Sequence, residues 1–109
     1  MKNIKFNICV VGCGYVGLPL INELSKYYKV IGYDNNKNKI KNLIEGLDIT
    51  KQLDLSFIKN RKNIFTYNQI DIIKSNIYII CVPTPIDRKK KPDLKHLKKA
   101  SQVVGKSLK

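Results

Sequence analysis

The sequence is short of almost every feature that would mark a membrane, metal or disulfide protein. No stretch of it reaches 18 consecutive apolar residues, which leaves no candidate for a transmembrane helix. Met1-Lys2-Asn3-Ile4-Lys5-Phe6 leads straight into an apolar segment that polar Asn7 interrupts. No cleavable leader is expected, and the reading is a cytoplasmic protein. The three cysteines, Cys9, Cys13 and Cys81, form no CxxC pair and no zinc spacing. They read as buried free thiols of a reducing compartment, with Cys13 partly exposed and none marked as a nucleophile. No metal site is expected. Internal repeats and low-complexity linkers are also missing, and 109 residues allow one domain.

Negative charge is scarce as well. Twenty-one basic residues face 8 acidic ones, a formal charge of +13. Only two of the bases are arginines, Arg61 and Arg88. The lysines are scattered among many asparagines and isoleucines, a compositional bias and not a concentrated patch. A nucleic-acid partner is therefore not expected. A positive field does favour an anionic dinucleotide or sugar nucleotide.

What the sequence does contain is Ile8-Cys-Val-Val-Gly-Cys-Gly-Tyr-Val-Gly17. A short apolar run breaks into Gly12-x-Gly14-x-x-Gly17 and resumes at helical spacing, the order of a dinucleotide-binding fingerprint. Gly12 allows the tight turn out of the strand, Gly14 lets backbone approach a pyrophosphate, and Gly17 lets the helix lie on the sheet. The helix N-terminus would offer N–H groups and its dipole to phosphates. Alone, this motif is equally a glycine-rich turn without a ligand.

Lys5 to Val11 reads as the first strand and Tyr15 to Tyr27 as the first helix, with Val16, Leu20, Leu24 and Tyr27 facing the sheet. Pro19 falls near the helix start, where its missing N–H is tolerated. Lys29 to Asp34 is the second strand. Its terminal acid lies 22 positions after Gly12, close to the spacing of roughly 20 at which a carboxylate accepts ribose hydroxyls. Such an acid repels a 2′-phosphate, which argues for NAD unless Lys37 or Lys39 overrides it. Taken by itself, Asp34 could equally cap the next helix.

That second helix spans Lys37 to Glu45, with Ile40, Leu43 and Ile44 inward and Gly46 as its stop. Leu47 to Gln52 reads as a loop, followed by a short helix from Asp54 or Ser56. Ile64 to Thr66 is a third strand, Gln69 to Lys74 a helical turn, and Ile77 to Val82 the strongest strand. A last helix begins at Pro92-Asp93, with Leu94, Leu97, Ser101, Val104 and Leu108 as its buried stripe. The single histidine, His96, lies off that stripe and reads as a surface residue. Asp87 to Lys91 reads as a solvated basic loop. Strands and helices alternate, which predicts an α/β, Rossmann-like parallel sheet in the order 3-2-1-4 with helices on both faces. The stiff turn Val82-Pro-Thr-Pro-Ile86 would then overhang the crevice.

Gly12-Cys-Gly-Tyr-Val-Gly-Leu-Pro-Leu20, Val30-Ile-Gly-Tyr-Asp34, Val82-Pro-Thr-Pro-Ile86 and Pro92-Asp-Leu94 together resemble the N-terminal, NAD-binding domain of the UDP-glucose/GDP-mannose dehydrogenase family. Pro-Asp-Leu after a short basic loop and Lys99-Ala-Ser-Gln-Val-Val-Gly105 look most like the branch acting on UDP-N-acetylglucosamine or UDP-N-acetylmannosamine, including the Vi-antigen type. The resemblance implies NAD-dependent oxidation of a sugar C6 alcohol to a carboxylate, for surface polysaccharide synthesis. It implies pyrophosphate contacts at Gly12, Gly14, Tyr15, Val16 and Gly17, and the ribose on Asp34 with Lys39 on the adenosine side. Pro83 and Thr84 would contact the cofactor, Thr84 near its nicotinamide half.

The family's nucleophile is a cysteine in a Gly-Gly-x-Cys setting, which none of the three cysteines here occupies. No catalytic residue is therefore expected among these 109 residues, and the chain on its own is expected to be inactive. The nucleotide-sugar substrate and a homodimer belong to the full-length enzyme. The fourth strand would stand at an open edge, which invites association. The alternatives are a stand-alone NAD-sensing module and a non-functional remnant.

Overall fold

In the computed structural model, residues 6–45, 64–83 and 88–108 are described. Four strands, β1 (Asn7–Val11), β2 (Lys29–Tyr33), β3 (Ile64–Thr66) and β4 (Ile77–Ile80), form one sheet in the order β3-β2-β1-β4. All three pairings are parallel, with Val10 opposite Gly32 and opposite Ile79. The expected order holds, and β4 is an edge strand among the described residues. Among the described residues the helices are α1 (Gly17–Leu24), α2 (Lys37–Ile44) and α3 (Lys95–Ser107), with a 3₁₀ turn at Gln69–Ile72.

Successive strand residues point to opposite faces, and the apolar residues of β1 and β2 serve both. Ile8, Val10 and Val30 pack with Leu18 and Ile21 of α1 and with Ile40 and Leu43 of α2. Cys9, Val11 and Tyr33 pack on the other face with Ile72 and Ala100. A sheet covered on both sides explains the nearly unbroken apolar run of β1. Gly32 leaves the room that α1 needs, since a Cβ there would meet the Phe65 ring at 2.8 Å and Ile21 Cδ1 at 3.0 Å.

The inner faces differ from the sequence expectation in three places. The first helix is shorter than Tyr15 to Tyr27, so Val16 and Tyr27 fall outside it and are exposed. Leu18 and Ile21 take the buried positions, with Leu20 and Leu24 half-buried. Ile44 ends α2 and is exposed, while Ile40 and Leu43 carry its buried face. On α3 the buried or half-buried residues are Leu97, Ala100, Val103, Val104 and Ser107, while Leu94, Ser101 and Leu108 are exposed. That helix starts at Lys95 and not at Pro92; Asp93 Oδ1 precedes it and accepts from the Lys95 N–H at 3.0 Å. The expected loop at 47–52 and the short helix after Asp54 lie outside the described residues, as does Gly46. Among the described residues, no helix is long and apolar enough to cross a membrane.

Candidate functional site

The sheet order reverses between β1 and β4, and at such a switch point the loops after the strands diverge and leave a crevice. A crevice of about 660 Å³ opens there. Its walls come from four places: the turn after β1 (Gly12, Gly14, Tyr15, Val16), the segment after β2 (Asp34, Asn35, Asn36) with Lys39, the residues after β4 (Cys81, Val82, Pro83), and α3 (His96, Lys99, Ala100, Val103).

The three glycines of the turn meet three different surroundings. Gly12 adopts φ +107°, and a Cβ on it would lie 2.5 Å from the Cys81 carbonyl oxygen. A Cβ on Gly17 would overlap the Gly12 carbonyl oxygen. A Cβ on Gly14 would meet nothing within 4 Å, and Gly14 lines the crevice. Two glycines thus close the turn against the sheet and against α1. The third keeps the backbone bare where the crevice opens. The N-terminus of α1 follows, with no capping side chain and no acid in its first turn, and so has its positive end available to an anion. Pro19, third in the helix, occupies a position whose N–H would have no intrahelical partner. Tyr15 and Val16 flank this opening, Val16 with 69% of its surface exposed.

Asp34 follows β2 directly, lines the crevice and is buried. Its Oδ2 accepts from the Cys13 N–H at 3.0 Å, and its Oδ1 accepts from the Asn36 N–H at 2.9 Å. Lys39 Nζ stands 3.4 Å from Oδ2. The residue that caps α2 is Asn36, whose side chain accepts from the Lys39 N–H at 3.1 Å. Asp34 is therefore not the cap, and its carboxylate stays at the crevice.

Cys13 is fully buried, contrary to the partial exposure expected of it, and its thiol lies 3.6 Å from the Tyr33 carbonyl. Burial raises its pKa first, with Asp34 adding to the rise. Burial likewise pushes Cys9 up to about 12 and raises Cys81. At neutral pH all three are protonated thiols. Among the described residues, no group of three or more His, Cys, Asp or Glu could hold a metal ion.

The crevice also takes in residues that the sequence does not single out as site residues, among them Asn35, Asn36, His96 and Lys99. His96 and Lys99 are exposed, yet they line the crevice with Ala100 and Val103, three to four positions apart along one flank of α3. Helical spacing from Ala100 is the signal in the sequence, and the apolar stripe through Leu94 and Leu108 masks it. Thr84 lies outside the described residues.

A sequence model of the UDP-glucose/GDP-mannose dehydrogenase family, NAD binding domain, matches residues 6–109. The chain belongs to this family. It is 46% identical, over its whole length, to 26% of a UDP-N-acetyl-D-glucosamine 6-dehydrogenase from Pseudomonas aeruginosa. It is 47% identical over 92% of its length to 24% of Protein CapL from Staphylococcus aureus. In structure it is similar to a UDP-D-ManNAc dehydrogenase from Pyrococcus horikoshii, with a TM-score of 0.84 and 32% identity over 94% of this chain and 26% of that one. The chain spans about a quarter of the length of the relatives it matches.

The cofactor of this family domain is NAD. The residues present fit it on three counts: a bare backbone at Gly14, an uncapped helix N-terminus beside it, and a carboxylate at the end of β2.

Proposed function

We propose that residues 1–109 are the N-terminal, cofactor-binding domain of an NAD-dependent UDP-sugar 6-dehydrogenase. The complete enzyme oxidises the C6 alcohol of a UDP-N-acetylhexose to the carboxylate, for surface polysaccharide synthesis. The observation that carries this reading is the crevice itself, where the glycine turn, the α1 N-terminus and Asp34 converge. The identity to a UDP-N-acetyl-D-glucosamine 6-dehydrogenase supports the sugar class. The match over residues 6–109 favours a dehydrogenase over a stand-alone sensing module.

In this reading Gly12, Gly14, Tyr15, Val16 and Gly17 receive the pyrophosphate, with backbone N–H groups and the α1 dipole opposing its charge. Asp34 accepts from the adenosine ribose, and Lys39 flanks that side. Pro83 and Thr84 border the cofactor after β4. Bound there, NAD supplies the hydride acceptor for the alcohol oxidation. The sugar nucleotide and the catalytic cysteine belong to the rest of the enzyme, which resemblance suggests is a cytoplasmic homodimer. The scattered lysines support a reading without nucleic acid.

The test is to express the whole reading frame that contains these residues and to follow NAD reduction with UDP-N-acetylglucosamine and UDP-N-acetylmannosamine. Reduction with either sugar, two NAD per uronate formed, is the expected result. No reduction with any UDP-hexose would refute the proposal.

A further inference from the structure

The end of β2 grips the glycine turn through two consecutive amides. The Gly12 N–H donates to the Tyr33 carbonyl at 2.7 Å. The Cys13 N–H donates to Asp34 Oδ2 at 3.0 Å, in a buried contact between residues 21 apart in sequence. The other carboxylate oxygen is engaged too, by the Asn36 N–H at 2.9 Å. A group whose sole task was to accept ribose hydroxyls would need neither bond.

We propose that Asp34 is a positioning residue for the phosphate-binding turn as well as a ribose acceptor. By holding the Cys13 N–H it fixes the backbone between Gly12 and Gly14, the segment that faces the pyrophosphate. This inference rests on the crevice being the NAD site. Its consequence is that recognition of the adenosine and of the pyrophosphate share one carboxylate and are not independent.

The two roles have opposite signs for an anion that lacks a ribose. Removing a negative charge from the crevice favours anion binding. Loosening the turn disfavours it, because the donors must then be ordered at the moment of binding. Asp34→Asn separates the two effects. Asparagine has a single acceptor oxygen, so either the Cys13 or the Asn36 N–H is left facing an NH₂ group.

Inorganic pyrophosphate and adenosine serve as separate probes of the full chain, each in competition with NAD. The expected result is that D34N, with its cooperative thermal transition retained, binds pyrophosphate at least threefold more weakly and also loses affinity for adenosine. Unchanged or tighter pyrophosphate binding by the folded variant would overturn the inference. Hydrogen exchange at the Cys13 amide of the unliganded wild-type chain is a second readout that does not require the variant to fold. Strong protection is expected, and exchange at the rate of an unbonded loop amide would overturn the inference. Failure of the wild-type chain to bind NAD would count against the cofactor reading, while the Cys13 amide would still decide the positioning role.

Discussion

Gly17 sits so close to Gly12 that a Cβ on Gly17 would overlap the Gly12 carbonyl oxygen. The first turn of α1 thereby rests directly on the end of β1, and the turn between them is confined. Gly17→Ala and Gly12→Ala should each destabilise the chain by about 1–3 kcal/mol, the cost of forcing atoms into a filled space. Gly14→Ala should leave the thermal midpoint within a few degrees, because its Cβ meets nothing. Gly14 lines the crevice, so a methyl there should hinder the close approach of a pyrophosphate, and NAD affinity should fall by at least tenfold. Thermal melts and NAD titrations of the three variants check the separation.

The ribose side should discriminate between cofactors. A 2′-phosphate would approach the Asp34 carboxylate, and like charges about 4 Å apart repel by roughly 4 kcal/mol near a protein surface. Lys39, 3.4 Å from Oδ2, offsets part of this. NAD should bind at least tenfold more tightly than NADP, and Lys39→Ala should widen the gap. Parallel titrations measure it; equal affinities would contradict the assignment of Asp34.

The α3 flank should contribute charge. Lys99 lines the crevice and is exposed to solvent, so its field is screened by salt. Lys99→Ala should weaken NAD binding about threefold at low ionic strength, an effect within the range of roughly 0.2–1 kcal/mol for exposed charge pairs. The loss should shrink in high salt, which titrations at two salt concentrations would show.

The buried thiols give a pH signature. Cys9 has its pKa pushed from 9.0 to about 12 by burial. Above pH 9 the unfolded chain loses that proton while the folded chain keeps it, so the folded state binds more protons and stability falls as pH rises. The slope from Cys9 should approach about 1.4 kcal/mol per pH unit between the two pKa values. Denaturant melts from pH 8 to 10.5 should show the decline, and Cys9→Ala should reduce it. A flat profile would contradict the burial.

Much of this was legible in the sequence because local rules and tertiary structure agreed. Ile8 to Gly17 forms strand and turn in the expected places, and Ile64-Phe65-Thr66 is a strand as read. The strand order followed from the strand–helix alternation together with the dinucleotide fingerprint at Gly12 to Gly17. Where the reading slipped, periodicity lacked a reference point. Val16 fits the apolar spacing of α1, but Gly17 is where the helix begins, and the residue before it projects at the crevice. On α3 the apolar spacing runs through Leu94 and Ser101, which are exposed, and it leaves His96 on the solvent side although His96 and Lys99 line the crevice. A polar side chain facing a crevice and one facing bulk water look alike in sequence. The bond from the Cys13 N–H to Asp34 was hidden for a different reason: it joins backbone to side chain across two strands, and no spacing encodes it.

The most direct test of the central claim is an NAD titration of the isotopically labelled chain, followed by amide resonances. The account predicts saturable shifts at Gly12 to Gly17, at Asp34 to Asn36, at Cys81 and Val82, and along the His96 and Lys99 flank of α3. No saturable shift at millimolar NAD, or shifts centred on Phe6, Tyr27 and Tyr28 beside the opposite ends of the strands, would contradict it.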